Sequence, residues 1–284
     1  MTAYPAIAST VDDLRRRVSI WRSDGKTVAL VPTMGALHAG HLKLIEEARN
    51  RAQKVIVSIF VNPTQFAPTE DFDSYPRTFD DDVAKMLPYG VDAVFAPNAA
   101  EMYRPDFATG ITVKGPALGL ETDYRPHFFS GVAVVVAKLL LSALPDIALF
   151  GEKDYQQLLV VRQMVRDLNI PTEILAIETV REDDGLAMSS RNAYLSSADR
   201  VTAARLNVEL RAVADTIRAG GSAETALKAA RAAISEAGFR LDYLELRHAE
   251  TLQAIDLDAD KDLPMRLLVA AWLGKTRLID NIGV

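Results

Sequence analysis

The sequence predicts an α/β chain: a Rossmann-like, doubly wound parallel sheet over residues 1–182, then a smaller α+β carboxyl-terminal domain over residues 183–284. Three observations predict it. Short apolar runs alternate with helical patterns through the first two-thirds of the chain. Those runs are apolar on both faces, as in strands covered from two sides. Near residue 180 the texture changes to two helices and three strands.

Residues 28–31 read as the first clear strand, bounded by Lys26 and Pro32. Leu42, Ile45, Ala48 and Ala52 share one helix face after it. Residues 55–61 form a nearly continuous apolar strand, 80–86 a helix and 93–95 a short strand. Residues 132–144 have helix length and 147–150 are strand-like. Tyr155, Leu158, Leu159, Val165 and Leu168 mark the next helix, and residues 174–177 close the series. Strand–helix alternation of this kind gives right-handed crossovers, with ligands bound beyond the carboxyl ends of the strands. Past the polar connection 181–185, Ser196 to Asp199 caps a helix running to about residue 219, and Gly220-Gly221 breaks it. A second, alanine-rich helix covers 222–237 and stops at Gly238. Strands are expected over 241–247, 267–273 and 276–282.

Composition narrows the function classes. The 284 residues are 49% hydrophobic and 25% charged, enough for a sizeable core without covalent staples. There is no cysteine, which removes disulfides, thiolate metal sites and cysteine nucleophiles. The net charge of −6 argues against a bulk grip on nucleic acid. Residues 1–9 lack a basic segment followed by an apolar one, so no signal peptide is expected. The most apolar stretch, 132–144, is too short for a membrane span and carries Lys138, so no membrane partner is expected and the cytoplasm is the expected location.

Five loops after the strands carry chemistry. Pro32 to His41 joins a strand to a helix; Gly35 and Gly40 remove bulk, and the helix start offers N–H groups and positive potential to an anion. His38 and His41, three apart, project from one side of a turn and suit charge growing on a phosphoryl group; a metal pair or two surface histidines are the alternatives. Asn62 and Gln65 suit hydroxyls and carboxylates, against a plain Asn-Pro turn. Tyr75-Pro-Arg77 leads into Asp80, Asp81 and Asp82, which either enrich a first helical turn or hold Mg²⁺ through water. After strand 147–150, Lys153 can reach phosphate, Asp154 ribose hydroxyls, and Gln157 lies three further on; helix capping is the alternative. Ser189, Ser190 and Arg191 make a phosphate clamp or an N-cap beside a surface arginine. Arg125 to Gly131 is a further basic segment with a glycine.

His38-Ala-Gly-His41 with Met188-Ser-Ser-Arg191 downstream resembles the paired phosphate signatures of the HIGH-motif nucleotidyltransferases. The longer strings are more specific: Val31-Pro-Thr-Met-Gly-Ala-Leu-His-Ala-Gly-His41, Ser58-Ile-Phe-Val-Asn-Pro-Thr-Gln-Phe66, Tyr75-Pro-Arg-Thr78, Phe150-Gly-Glu-Lys-Asp-Tyr-Gln-Gln157 and Asp184-Gly-Leu-Ala-Met-Ser-Ser-Arg-Asn192. They resemble the pantothenate synthetase (pantoate–β-alanine ligase) family, from about residue 26 to Asp280-Asn281.

The resemblance implies a two-step ligation: ATP and pantoate give pantoyl adenylate and pyrophosphate, then β-alanine displaces AMP. It implies that Pro32, Met34, Gly35, Ala36, Leu37, His38, Ala39, Gly40 and His41 bind ATP, with His41 the proton donor and His38 beside the phosphates. Gly151, Glu152, Lys153 and Asp154 would contact ATP, Lys153 on phosphate and Asp154 on ribose. Val180, Met188, Ser189, Ser190 and Arg191 would complete the nucleotide site from a lid-forming second domain, so that His38, His41, Lys153 and Arg191 form the catalytic set. Gln65 and Gln157 would hold pantoate, Gln65 also lying near β-alanine, with Asn62 and Tyr75 lining the pocket and Asp81 and Asp82 near Mg²⁺. A homodimer is implied as well. Two positions depart from the pattern: His127 stands one place early in Arg125-Pro-His-Phe128, and Lys85 replaces the glutamine of some relatives. Another small-molecule nucleotidyltransferase, a metal-dependent hydrolase and a non-catalytic nucleotide-binding module are the competing readings. A tRNA-charging enzyme would need a larger, more basic surface.

Overall fold

Val28, Ala29, Leu30 and Val31 are wholly buried, and so are Val55, Ile56 and Val57, which is why these runs carry no polar face. A computed structural model describes residues 4–68, 70–256 and 263–284. Of the amino-terminal stretch read for a signal peptide, residues 1–3 lie outside the described residues. In chain order the elements are β1 (Ala6–Ala8), α1 (Val11–Ser23), β2 (Val28–Thr33), α2 (Ala39–Arg51), β3 (Lys54–Ile59), α3 (Phe79–Met86), β4 (Ala93–Phe95), α4 (Ala99–Met102), α5 (Glu121–Tyr124), α6 (Phe128–Ala143), β5 (Ile147–Gly151), α7 (Tyr155–Asp167) and β6 (Glu173–Ile177). Then come α8 (Ser197–Ala203), α9 (Arg205–Arg218), α10 (Ala223–Glu236), β7 (Arg240–His248), β8 (Met265–Leu273) and β9 (Thr276–Gly283).

Two compact units result, the first built from Met1–Val113, Arg125–Glu152 and Val160–Glu178. Its sheet runs β1-β4-β3-β2-β5-β6, and every pairing is parallel. The order reverses between β2 and β5, where Ala29 pairs with Ile147 and Leu30 with Ala148. That reversal opens the crevice in which such sheets bind ligands. Ile45 and Ala48 of α2 and Val83 and Met86 of α3 pack on Val31, Val57 and Val94 of the sheet. Helix α6 buries Val132, Val134, Val135, Val136, Leu139 and Leu140, so it is apolar nearly all round, in line with its sequence.

The second unit comprises Lys114–Tyr124, Lys153–Leu159 and Thr179–Val284, with an antiparallel sheet β7-β8-β9. Alternate residues of β8 serve opposite faces. Leu267 and Val269 meet Leu210 and Val213 of α9 and Leu227 and Ile234 of α10. Leu268 and Ala270 meet Leu120, Tyr155 and Leu159. Buried Gln156 secures the first of these segments: its amide donates to Pro116 O at 3.0 Å and Gly119 O at 3.2 Å and accepts from Glu121 N at 3.1 Å. Arg277 lies between Glu121 and Asp242, each at 2.8 Å, and the Tyr243 hydroxyl donates to Glu121 at 2.9 Å.

The fold class agrees with the sequence-based expectation, with three local differences. β1 and α1 carry no clear signal, because β1 has three residues and α1 buries only Leu14 and Val18 beneath a largely charged surface. Helix α6 begins at Phe128 rather than residue 132. The single helix expected to about residue 219 is two, α8 and α9, divided at Ala204. Among the described residues no helix is long and apolar enough to cross a membrane.

Candidate active site

The loop after β2 is held residue by residue. Gly35 sits at φ +83° and Ala36 at φ +50°, the left-handed region that L-residues seldom adopt. Thr33 Oγ1 accepts from Gly35 N at 3.2 Å. Asp82 Oδ2 accepts from Ala36 N at 2.9 Å and Asp82 Oδ1 from Leu37 N at 2.7 Å. His41 Nδ1 accepts from His38 N at 3.4 Å, and His38 Nδ1 from Gly40 N at 3.1 Å. The two imidazole rings lie 4.1 Å apart and together cap α2. The amides of Gly35, Ala36, Leu37, His38 and Gly40 are thus engaged by side chains of β2, of the loop and α2 start, and of α3. Each Nδ1 accepts a backbone proton, so any hydrogen the ring donates is carried on Nε2.

One correction concerns the carboxylates. Asp82, expected beside Mg²⁺, is 0% exposed and spends both oxygens on the loop; Thr78 Oγ1 adds a third bond at 3.1 Å. Asp81 is exposed in the first turn of α3. Among the described residues no group of three or more His, Asp or Glu is placed to hold a metal ion.

Gln65 stands where β3 ends, in the 3₁₀ turn Pro63–Gln65. Its amide donates to Met34 Sδ at 3.0 Å, joining two of the expected ligand-binding residues. Asn62, expected to line the substrate pocket, is 1% exposed and its polar atoms are in use. Its amide donates to Gln65 Oε1 at 3.1 Å and Gly131 O at 3.2 Å; its carbonyl accepts from the Tyr103 hydroxyl at 2.7 Å and from Thr64. Asn62 thereby ties the Gln65 side chain to the start of α6. Burial pushes the Tyr103 phenol above its ordinary pKa. Arg125 grips Glu70 through two bonds, at 2.6 and 2.7 Å, and reaches Gln65 O at 3.3 Å. Gly131 allows the closest approach: a Cβ there would lie 2.3 Å from Thr64 O. Tyr75 is buried against Phe66, with ring centres 5.9 Å apart. A cavity of about 320 Å³ is lined by Met34, Gly35, Ile59, Phe60, Phe79 and Asp82, among others.

β5 ends at Gly151, and Glu152 closes that segment of the first unit. In the second unit, Lys153 Nζ lies 3.7 Å from Asp154 Oδ2. The backbone carbonyl of Lys153 accepts from Asn281 Nδ2 at 2.9 Å, so β9 sets this turn. Arg266 Nε donates to Asn281 Oδ1 at 2.7 Å. Gln157 is half-buried, one step around α7 from the structural Gln156. Val180 O accepts from Met188 N at 3.0 Å, forming a small antiparallel return turned at Gly185, φ +90°. Arg181 braces it through bonds of 2.7 and 2.9 Å to buried Asp280. Ser189 caps the short helix Ser190–Tyr194, accepting from Arg191 N at 3.2 Å, so the capping reading of that serine holds. Sequence reasoning missed Asn281, Arg266, Arg181 and Asp280 as supports, and Tyr103 and Gly131 beside Gln65. Gly131 lay in the basic segment 125–131, Arg181 in the polar connection and Asp280-Asn281 at the end of the matched strings, whereas Tyr103 and Arg266 carried no signal.

Comparison with known proteins places the chain in a family. The sequence profile described as Pantoate-beta-alanine ligase matches residues 6–283. The chain is 56% identical over 285 residues to a pantothenate synthetase of Bradyrhizobium sp. (strain BTAi1), covering 100% of both. The crystal structure of pantothenate synthetase from Thermus thermophilus is 47% identical, with a TM-score of 0.91 over 98% of each chain. That of a Francisella tularensis pantoate–β-alanine ligase, complexed with β-γ ATP and β-alanine, is 34% identical, with a TM-score of 0.82 over 98% of this chain and 97% of that one. Matched end to end in sequence and in fold, this chain belongs to the pantoate–β-alanine ligase family.

Proposed function

We propose that this chain joins pantoate to β-alanine at the expense of ATP, through pantoyl adenylate. The observation that carries this is the imidazole pair His38–His41, rings 4.1 Å apart at the carboxyl end of β2, in a chain matching the ligase family over residues 6–283. A pantoate carboxylate oxygen attacks the α-phosphorus of ATP and the bond to pyrophosphate breaks. The β-alanine amine then attacks the acyl carbon, loses a proton and expels AMP, completing a C–N bond.

Pro32, Met34 and the loop Gly35 to His41 take the nucleotide. Nε2 of His41 serves as proton donor toward the departing phosphates, and Nε2 of His38 stabilises charge beside it. Gly151 and Glu152 line the ATP site, with Lys153 on phosphate and Asp154 on ribose; Val180, Met188, Ser189, Ser190 and Arg191 complete it. Gln65 and Gln157 hold pantoate, and Tyr75 packs behind Gln65's segment. The Gln65–Met34 bond at 3.0 Å supports a shared acid-and-nucleotide site. Mg²⁺, when bound with the triphosphate, would supply charge neutralisation, and Asp81, exposed in the first turn of α3, is the residue that would approach it through water. Acyl adenylates hydrolyse, and residues 183–284 act as the lid that excludes water. The chain works as a cytoplasmic homodimer.

The test is AMP and pyrophosphate release with ATP, pantoate and β-alanine, omitting each in turn. Pyrophosphate without β-alanine and AMP only with it are expected, and Lys153→Ala and His41→Ala each lower pyrophosphate release by about 100-fold or more. Transfer of AMP onto an acceptor without its later release overturns the reading.

A further inference from the structure

We propose that Asp82, helped by Lys85 one turn along α3, is a positioning residue that sets the conformation of the nucleotide loop, and that it is not a ligand of Mg²⁺. The inference deepens the functional reading above and rests on it for its kinetic arm.

Four observations converge. Asp82 has no exposed surface, and each oxygen takes one loop amide, Ala36 N at 2.9 Å and Leu37 N at 2.7 Å. Those charge-assisted bonds hold Ala36 at φ +50°, a conformation costing a residue with a Cβ about 1–2 kcal/mol. Gly35, at φ +83°, comes so close that a Cβ there would lie 3.1 Å from Asp82 Oδ2, so the carboxylate sits flush beneath the backbone. Lys85 Nζ donates to Leu37 O at 2.8 Å. One helix thus fastens two N–H groups and one carbonyl immediately ahead of His38. Mg²⁺ keeps several waters and needs room for an octahedral shell, which a desolvated carboxylate with three hydrogen bonds does not offer. The chemistry assigned to His38 and His41 then depends on α3, through contacts 45 and 46 residues away along the chain.

Asp82→Asn is the direct test, because the amide nitrogen cannot accept from a loop N–H. Three readings are taken: hydrogen exchange of the Ala36 and Leu37 amides, kcat and KM for pantoate-dependent pyrophosphate release, and the Mg²⁺ concentration at half-maximal rate. Exchange at least about tenfold faster is expected, with kcat down about 100-fold, pantoate KM within about threefold and the Mg²⁺ midpoint unmoved. Unchanged exchange overturns the proposal, and so does a kcat within tenfold of wild type. A Mg²⁺ midpoint raised tenfold at unchanged exchange assigns Asp82 to the metal instead. If Asp82→Asn does not fold, the Lys85 pair decides. Lys85→Met is expected to speed exchange at Leu37 and to lower kcat about fivefold, and Lys85→Arg, which keeps a donor, to restore both; equal behaviour of the two overturns the proposal. A wild-type enzyme that releases no pyrophosphate refutes the functional reading, while the exchange measurement still tests the clip.

Discussion

Replacing Gly131 with alanine tests how closely α6 must approach the turn that carries Gln65. The new methyl would lie 2.3 Å from Thr64 O, 2.6 Å from its carbonyl carbon and 2.9 Å from Gln65 N, all backbone atoms. Contacts below 3.0 Å essentially do not occur for a Cβ, so helix and turn must part by at least about 0.7 Å. The same movement stretches the bond from Asn62 to Gly131 O, already 3.2 Å. Overpacking of this kind costs about 1–3 kcal/mol, and alanine in a helix returns up to about 1 kcal/mol. A net loss of about 1–2 kcal/mol is expected, a fall of about 3–8 °C in the first unfolding transition. Gln65 moves with the turn, so kcat/KM for pantoate is expected to fall about 100-fold, with the ATP KM little changed. Thermal unfolding and initial rates of pyrophosphate release measure both. A variant as active and as stable as the parent refutes the reasoning, because the packing would then give way at no cost.

Asn281→Ala removes the donor to Lys153 O and the acceptor of Arg266 Nε; it is expected to cost about 2 kcal/mol of unfolding free energy and to lower kcat for pyrophosphate release about tenfold, and an unaltered kcat would show that β9 does not set the lysine. Burial holds the Tyr243 phenol well above its ordinary range, whereas the unfolded chain releases that proton near pH 10. Its stabilising contribution is therefore complete below pH 10 and is lost as pH rises beyond it. Melting temperatures between pH 8.5 and 11 are expected to fall less steeply for Tyr243→Phe, from a start about 1–2 kcal/mol lower because Glu121 loses a donor; parallel curves would refute the assignment.

The strands of the first unit were legible because Val28 to Val31 and Val55 to Val57 are buried on both faces, leaving uninterrupted apolar runs. The loops of interest followed from the rule that ligands bind beyond strand ends; within the first unit Gln65 meets Met34, and His38 meets His41. What was not legible is which polar group answers which. Asp80, Asp81 and Asp82 are equivalent in sequence; packing of α3 alone selects Asp82 for the loop and leaves its neighbours outside the core. Asn62 reads as a ligand-binding amide, and nothing near it in the sequence announces its bonds to Gly131 and Tyr103, 69 and 41 residues away. Gln156 and Gln157 are likewise adjacent and alike, and only the partners of Gln156 distinguish them. The break at Ala204 has no glycine or proline to announce it.

β1 meets β4 through Ala6, Ile7 and Ala8 alone, yet β4 is buried along its whole length. Trimming the polypeptide past Ala8 would uncover a bare ladder of amides and carbonyls on Ala93-Val-Phe95, and such margins recruit foreign strands. Affinity handles are best fused at the opposite terminus, and preparations clipped beyond Ala8 are the ones to inspect first for clumping.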